Sequence, residues 1–417
     1  MRRAFVVALA CSVLSCRPAK DIEPADPIRQ YIRLSVALGE HDTNSLDNYY
    51  GPPEWVTDIR EHTPKLDEIK RASMDLISKL QAASPAPPRQ DYLVAQLRAM
   101  ATRVDLLRGV RPSFQEEARA LFALDMLPGL QQERLENIRK QIALLLSGRG
   151  TLAERYAKFE ENFLIPDDKV PAVIQRALLG CRERTQAHLH LPAGEEVKVE
   201  YVSNRPWNAF SRYQGHYRSL IQINADFPIT IDRALQLACH EGYPGHHAYT
   251  SIQDSQLVQH DGRLELMVQP TFSPQSFVSE ALATYAVDVA FSPEERLAFE
   301  RDVLFPLAGL DKSGVERYLQ LSRLVDELGA EQPGIARDYI DGTLEWSRAA
   351  SALEDRALMA HTEATLKYLN EFRTYMLTYT VGKDMVQKCM GNATGEDRWR
   401  LYEQLITWRM RLRDCGQ

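Results

Sequence analysis

Hydrophobic side chains recur at spacings of three and four residues along most of this chain, and that spacing is typical of amphipathic α-helices. Pro and Gly residues fall mostly between the periodic segments, where they would end one helix before the next begins. The first predicted helix begins after Pro27. We predict further helices over 66–83, 91–107, 130–146, 171–189, 275–291, 293–307, 313–329, 333–342, 346–369, 371–388 and 395–413. The predicted fold class is therefore mainly α, with a large helical body.

One stretch departs from the helical spacing. Between 196 and 227, apolar and polar residues alternate, as around Val199 and Tyr201 and again from Tyr217 to Ile223. Such alternation is the pattern of half-buried strands. We predict one small antiparallel sheet here, directly before a helix that begins after Thr230. The segment from Tyr217 to Ile223 either presents an edge that binds substrate backbone or is a structural hairpin.

Residues 1–16 have the layout of a bacterial export signal. Arg2 and Arg3 precede an apolar stretch, Ala4 to Leu14, that is too short to span a bilayer as a helix. The end of this segment resembles a lipobox, in which Cys16 would be lipidated; a plain secretory signal is the alternative. Arg17, rather than Asp, follows the cysteine, and by resemblance this favours the outer membrane.

We therefore expect an exported lipoprotein of the cell envelope that faces the periplasm and is held at the outer membrane by its lipid anchor alone. No later apolar run reaches membrane-spanning length. Asp and Glu outnumber Lys and Arg by 57 to 50, which argues against nucleic acid as a partner, because phosphate binding needs a basic face.

Four cysteines follow Cys16, and none forms the CxxC pair of a cysteine-based zinc site. An exported chain can form disulfides, so Cys389 and Cys415 are either a bridge or buried free thiols. Cys239 is expected to be a small packed side chain.

The segment His-Glu-Gly-Tyr-Pro-Gly-His-His, from His240 to His247, carries the residues that a zinc hydrolase needs. Neutral imidazoles bind the ion, and the adjacent carboxylate of Glu241 can take a proton from the attacking water. In the usual HExxH pattern the second His lies four residues after the first, on the same helical face. In this chain Pro244 occupies that position.

An unbroken helix would keep these imidazoles apart. His246 would lie about 240° around the helix from His240, and His247 would lie about 10 Å further along it. Ligand atoms must instead come within about 3.5 Å of each other. Pro244 lacks an amide hydrogen and Gly245 permits unusual dihedral angles, so we predict a kink or bulge that brings His246 back beside His240. His247 remains the alternative ligand.

A third ligand is expected from a following helix. Glu280 lies in a run from Phe277 to Tyr285 whose small and apolar residues indicate burial. A buried carboxylate needs a cation or a metal ion as partner, so Glu280 either binds the metal ion or pairs with an Arg. Asp288, two turns later on the same face, either orients an imidazole or lies at the surface.

These residues resemble a family of bacterial zinc-peptidase-like proteins, domain of unknown function 885, which is related to the gluzincins. Its HExxPGHH signature matches His240 to His247. Its EGWALYAE-like helix matches Glu280 to Tyr285 loosely, with Ala and Leu in place of Gly-Trp. Shorter matches are Tyr49 to Pro52, Ser113 to Ala118, Trp346-Ser347 and a segment from Arg373 to Gly382 that lacks the family's Pro-Gly-Gln. The resemblance spans roughly residues 27–390.

The resemblance implies a helical metallopeptidase with one zinc ion, bound by His240, His246 and Glu280, and with Glu241 as general base. The expected function is hydrolysis of peptide or amide bonds, acting on short peptides in the cell envelope. One alternative is an envelope lipoprotein that binds metal or peptide without catalysis. The other is an amide or ester metallohydrolase that is not a peptidase.

Two further residues match the family near the C-terminus. Tyr379 is expected to donate a hydrogen bond to an oxyanion, or else to be a core aromatic residue. Arg373 is expected to bind a peptide carboxylate, or else to be a surface charge. The domain organisation that follows is a signal (1–16), a tether (17–26), an N-terminal helical region (27–190) and a metal-binding catalytic region (191–417). The last two are expected to form one continuous body.

Overall fold

A computed structural model describes residues 25–87, 89–125, 129–205 and 207–415. The export signal, Cys16 and most of the tether predicted at 17–26 lie outside the described residues. Within the part of the chain that the structure describes, helices dominate and the strands form two small sheets, which confirms the predicted mainly α fold. None of the described helices is both long and apolar enough to cross a membrane.

Along the chain, helices both precede and follow the strands of the larger sheet. Those before it are α1 (Pro27–His41), α2 (Thr57–Glu61), α3 (Leu66–Ala82), α4 (Gln90–Leu107), α5 (Phe114–Phe122), α6 (Gln132–Leu145), α7 (Leu152–Glu160) and α8 (Val170–His188). Those after it are α9 (Ile231–Leu237), α10 (His246–Gln253), α11 (Pro274–Ala290), α12 (Pro293–Phe299), α13 (Phe305–Ala308), α14 (Val315–Leu328), α15 (Gln332–Ile340), α16 (Trp346–Ala357), α17 (Thr362–Phe372), α18 (Val381–Met390) and α19 (Gly395–Ile406).

Two helices are shorter than the sequence predicted. The helix expected over 346–369 is divided into α16 and α17, because Leu358 and His361 have φ angles of 52° and 54° that a right-handed helix cannot contain. Of the helix expected over 371–388, only the later part is α-helical, because α18 begins at Val381. A 3₁₀ segment, Arg373–Thr378, precedes it. That 3₁₀ segment packs against α11, which carries Glu280.

The strands are β1 (Leu46–Tyr49), β2 (Glu196–Val202), β3 (Ala209–Tyr213), β4 (Arg218–Asn224) and β5 (Val268–Pro270). β1 and β5 pair in one antiparallel sheet, and the other sheet has the order β2-β4-β3. In that sheet β4 runs antiparallel to β3 and parallel to β2. The sequence did not indicate β3, which is short. Because β4 is paired on both sides, the expectation that the segment Tyr217 to Ile223 offers a free edge to substrate is wrong.

The main hydrophobic core contains residues from before and from after the predicted boundary at residue 190. It includes Phe114 of α5 and Ile174 of α8 together with Leu235 of α9 and Leu282 of α11. A second core joins α1, α3 and α4 to residues next to β5, and a third joins α6, α7 and α14. The helix that leads into the His motif and the helix that carries Glu280 therefore meet inside the main core.

Two disulfides connect distant segments. Cys389 of α18 is bonded to Cys415, with Cα atoms 4.9 Å apart, which confirms the bridge rather than free thiols. Cys181 of α8 is bonded to Cys239, with Cα atoms 5.6 Å apart. The expectation that Cys239 is only a small packed side chain is therefore wrong. Cys181 and Cys239 are 58 positions apart in the sequence, and no local pattern indicates that they pair.

Candidate metal centre

The helix that carries the His motif changes its hydrogen bonding before it ends. α9 continues into a π-helical turn, Ala238–Gly242, that contains His240 and Glu241. The chain then breaks at Tyr243-Pro244, which are joined by a cis peptide bond, and α10 begins at His246. A proline cannot donate the next helical hydrogen bond, and a π turn absorbs an extra residue. The deformation predicted at Pro244 is thus present as a break between two helices.

Gly245 closes this break. Its N–H donates to the carbonyl of Cys239 (2.9 Å), and its carbonyl accepts from the N–H of Tyr249 (2.8 Å). A Cβ atom at position 245 would overlap the carbonyl oxygens of Cys239 and His240. Because only glycine lacks that atom, α10 can begin directly against the end of the π turn.

The break turns the ring of His246 back toward that of His240. The two rings meet edge to face with their centroids 4.8 Å apart. Glu280 of α11 faces both rings: its Oε2 lies 3.4 Å from His240 Nε2, and its Oε1 lies 3.3 Å from His246 Nε2. The structure therefore brings together the three side chains that the sequence predicted as ligands.

The carboxylate of Glu280 is buried, and one of its two oxygens, Oε2, makes no hydrogen bond among the described residues. Burial opposes ionisation, but the rings of His246 and His240 outweigh burial and hold the pKa of Glu280 well below its usual range. Burial also lowers the pKa of His246, yet the attraction of Glu280 outweighs it and raises that pKa to about 9. A divalent zinc ion suits this set of two imidazoles and a carboxylate.

Glu241 is the fourth member of the cluster. The ligand atoms of His240, Glu241 and His246 all lie within 4.8 Å of one another, and Glu241 Oε1 is 4.0 Å from His240 Nε2. The side chain is largely buried. Two carboxylates, Glu241 and Glu280, therefore flank the imidazole pair, so that one can bind a metal ion while the other accepts a proton.

His247, the alternative ligand, is engaged elsewhere. It is fully buried, with Nδ1 2.8 Å from Ser219 Oγ and Nε2 2.9 Å from Glu195 Oε2. Burial lowers its pKa. Glu195 also accepts from Arg182 (2.6 Å) and from the hydroxyl of Tyr243. Both ring nitrogens of His247 thus hold α10 in place, and no sequence pattern indicated Glu195 as their partner.

Three residues that the sequence did not single out lie around the ligands. The hydroxyl of Tyr375 donates to Glu280 Oε1 (3.1 Å), and Ser279 Oγ lies 3.3 Å from His246 Nδ1. Partial burial, together with repulsion from Glu280, raises the pKa of Asp47 to about 7. Such neighbours orient ligands and tune their charge. Only Ser279, next to Glu280 in the chain, could have been found from the motif.

Tyr379 borders the cluster, and Asp288 does not support it. The ring of Tyr379 is 36% exposed, and its centroid lies 6.3 Å from that of His240. Tyr379 is thus a partly exposed residue at the border of the cluster. The side chain of Asp288 is 39% exposed and pairs with Lys383 (3.8 Å), which agrees with the surface alternative and not with the orientation of an imidazole.

Arg373 is part of a buried ion pair. Its Nε donates to Glu117 Oε2 (2.6 Å), and its side chain is 13% exposed while that of Glu117 is fully buried. The other oxygen of Glu117 accepts from the hydroxyl of Thr374 (2.8 Å). The guanidinium charge is therefore already paired, which corrects the expectation that Arg373 binds a peptide carboxylate.

These observations define a mainly α protein in which a broken helix and a following helix bring two imidazoles and two carboxylates together. No protein-family model matches the chain, and a search of curated proteins finds no match. The fold is similar to a solved structure described as "the putative lipoprotein from Colwellia psychrerythraea", with 14% identity, 93% of this chain and 75% of that chain covered, and a TM-score of 0.51. A "putative lipoprotein of unknown function from Shewanella oneidensis" matches with 10% identity, 91% and 80% coverage, and a TM-score of 0.46.

Proposed function

We propose that this chain is an exported lipoprotein whose metal centre hydrolyses short peptides or related amides. One observation carries the proposal: the carboxylate of Glu280 lies 3.3–3.4 Å from the ring nitrogens of His240 and His246, and the ligand atoms of these two rings and of Glu241 lie within 4.8 Å of one another. Glu280 Oε2 is buried and makes no hydrogen bond among the described residues, which is a further reason to expect a cation there, because a buried polar atom without a partner is costly.

His240, His246 and Glu280 would hold a single zinc ion. Three protein ligands leave a coordination position open, as in catalytic rather than structural zinc sites. When bound, the ion would supply Lewis acidity toward a substrate carbonyl and toward water. Glu241 would accept a proton from the attacking water and pass it to the leaving amine. Tyr379 would donate a hydrogen bond to the developing oxyanion.

Location in the cell envelope is supported independently of the metal centre. Residues 1–16 have the layout of an export signal that ends at a lipobox-like Cys16. Both disulfides are of the kind that persists outside the reducing cytoplasm. The fold resembles a structure described as a putative lipoprotein. We propose that the anchor is lipid at the outer membrane and that the helical body faces the periplasm.

A second candidate is a lipoprotein that binds a metal ion or a peptide without cleaving it. The likeness in fold to a structure described only as a putative lipoprotein favours this candidate, because that description names no activity. Glu241 favours hydrolysis instead, since a binding site has no need of a second carboxylate beside the ligands. A hydrolase of other amides or of esters would use the same residues and differ only in substrate.

The deciding experiment compares Glu241→Gln with Glu280→Gln in the full-length protein, measuring bound zinc and the cleavage of a short-peptide library. We expect Glu241→Gln to keep one zinc ion per chain and to lose at least 100-fold in cleavage rate. Glu280→Gln should lose both the bound zinc and the cleavage activity. Glu196→Gln, at an exposed position at the start of β2, should change neither. Wild-type cleavage by Glu241→Gln would contradict its role as base, and a wild-type protein that binds zinc but cleaves nothing would favour the binding function.

A further inference from the structure

A buried disulfide is attached directly to the metal centre. Cys239 immediately precedes His240 and Glu241 in the chain and is bonded to Cys181 of α8. Neither cysteine is exposed to solvent. The carbonyl of Cys239 also accepts the N–H of Gly245 (2.9 Å), which is the hydrogen bond that closes the break in the motif helix. The covalent link therefore holds the residue on which the geometry of the break depends.

The segment held by this disulfide is a single helical turn. The π turn Ala238–Gly242 is a rare form of helix, and it is followed at once by the break at Tyr243-Pro244. Metal ligands must nevertheless be held within about 0.5 Å of their productive positions. The position of His240 must therefore be fixed by contacts outside its own helix.

α8 supplies these contacts. It lies so close to the π turn that a Cβ atom on Gly242 would overlap the side chain of Leu178. One helical turn further on, Cys181 forms the disulfide, and Arg182 binds Glu195 (2.6 Å), the residue that anchors α10. α8 thus holds the motif covalently before the break and through an ion pair after it.

We propose that the Cys181–Cys239 disulfide keeps His240 in its ligand position, so that the metal centre reaches its binding geometry only after the chain has been oxidised. This inference rests on the proposed metal centre. In the oxidation each thiol gives up one proton and one electron, and the two sulfurs form the new bond. An external disulfide compound accepts both electrons and both protons and becomes two thiols. Oxidants of this class act on exported proteins.

The chain contains a matched control in its other disulfide. Cys389–Cys415 joins α18 to the C-terminal segment, and neither cysteine adjoins a predicted ligand in the sequence. Removing it should test the general effect of losing a cross-link. Alanine is the appropriate replacement in both pairs, because free thiolates could themselves bind zinc.

The experiment measures zinc affinity by competition with a chromogenic chelator, and amide hydrogen exchange over residues 238–246 in metal-free protein. The double variant C181A/C239A should bind zinc at least tenfold more weakly than wild type and should exchange faster over 238–246. C389A/C415A should stay within twofold of the wild-type affinity. Equal zinc affinity and equal exchange in C181A/C239A and wild type would overturn the inference.

Two further outcomes are distinguishable. If C181A/C239A loses its helical circular dichroism together with its zinc, the disulfide is a general cross-link and the inference is overturned. If the wild-type protein binds no zinc, the proposed function fails. The exchange measurement still decides, in that case, whether the disulfide holds the segment 238–246.

Discussion

Replacement of Glu195 by Gln tests how the structure holds α10, and therefore His246, in position. Glu195 is 7% exposed and accepts hydrogen bonds from Arg182 (2.8 and 2.6 Å). It also meets His247 Nε2 at 2.9 Å and the hydroxyl of Tyr243. Glutamine has nearly the same shape but no charge, and its NH₂ group cannot accept from these donors.

The magnitude follows from the pKa of Glu195. Burial raises this pKa, but hydrogen bonds from His247, Tyr243 and Arg182 outweigh burial and lower it from 4.5 to about 2. A pKa difference of this size between the folded and unfolded states corresponds to about 3 kcal/mol of folding free energy. The side chain of Arg182 is 40% exposed, so solvent weakens its share. We expect the free energy of unfolding of Glu195→Gln to be lower than that of wild type by about 2 kcal/mol at pH 7.

The pH dependence has a defined sign. Because the folded-state pKa of Glu195 lies below its unfolded value of 4.5, its stabilising contribution is complete above about pH 4.5. The contribution declines as the pH falls toward about 2. The part of the stability difference between wild type and Glu195→Gln that comes from ionisation of Glu195 should therefore be constant from pH 7 to about 5 and should shrink below that.

The assay is urea unfolding followed by circular dichroism at several pH values between 7 and 3. Glu196→Gln is the matched control, because Glu196 is the next residue and its ion pair with Arg218 is long (3.7 Å) and solvent-exposed. Its effect should stay below about 0.5 kcal/mol. A Glu195→Gln variant as stable as wild type at pH 7, or a difference that persists unchanged at pH 3, would refute the assigned role of Glu195.

Two smaller changes test the centre itself. Gly245→Ala should lower the free energy of unfolding by about 1–3 kcal/mol and weaken zinc binding, because its Cβ would overlap two backbone carbonyl oxygens. Urea unfolding and chelator competition measure the two effects. The control is Gly129→Ala, where a Cβ meets nothing within 4 Å and which should change neither quantity. Tyr375→Phe removes the donor to Glu280 Oε1 and should weaken zinc binding about tenfold, measured by chelator competition; wild-type affinity in this variant would show that the hydrogen bond does not orient the ligand.

Much of the candidate site could be predicted because its signals are local. The break at Pro244 follows from the missing amide hydrogen of that residue, whatever surrounds it. The choice of His246 over His247 followed from the bulge expected at Pro244-Gly245, because looping out about two residues returns His246 to the face of His240. Burial of Glu280 was indicated by the small and apolar residues beside it. The interruption at Leu358 had no such signal, because the positive φ angle there belongs to a residue type that is ordinarily helical.

The sequence alone determined the helical character of the chain, the break in the motif helix and the residue types able to bind a metal ion, since periodicity and proline geometry act over a few residues. Only the tertiary structure decided which distant groups meet: Cys181 with Cys239, Glu195 with His247, and Arg373 with Glu117 rather than with a substrate. The physical reason is that an ion pair or a disulfide requires proximity in space. The sequence is compatible with many different pairings of the same residue types, and the packing of α8, α10 and α11 determines which residues come into contact.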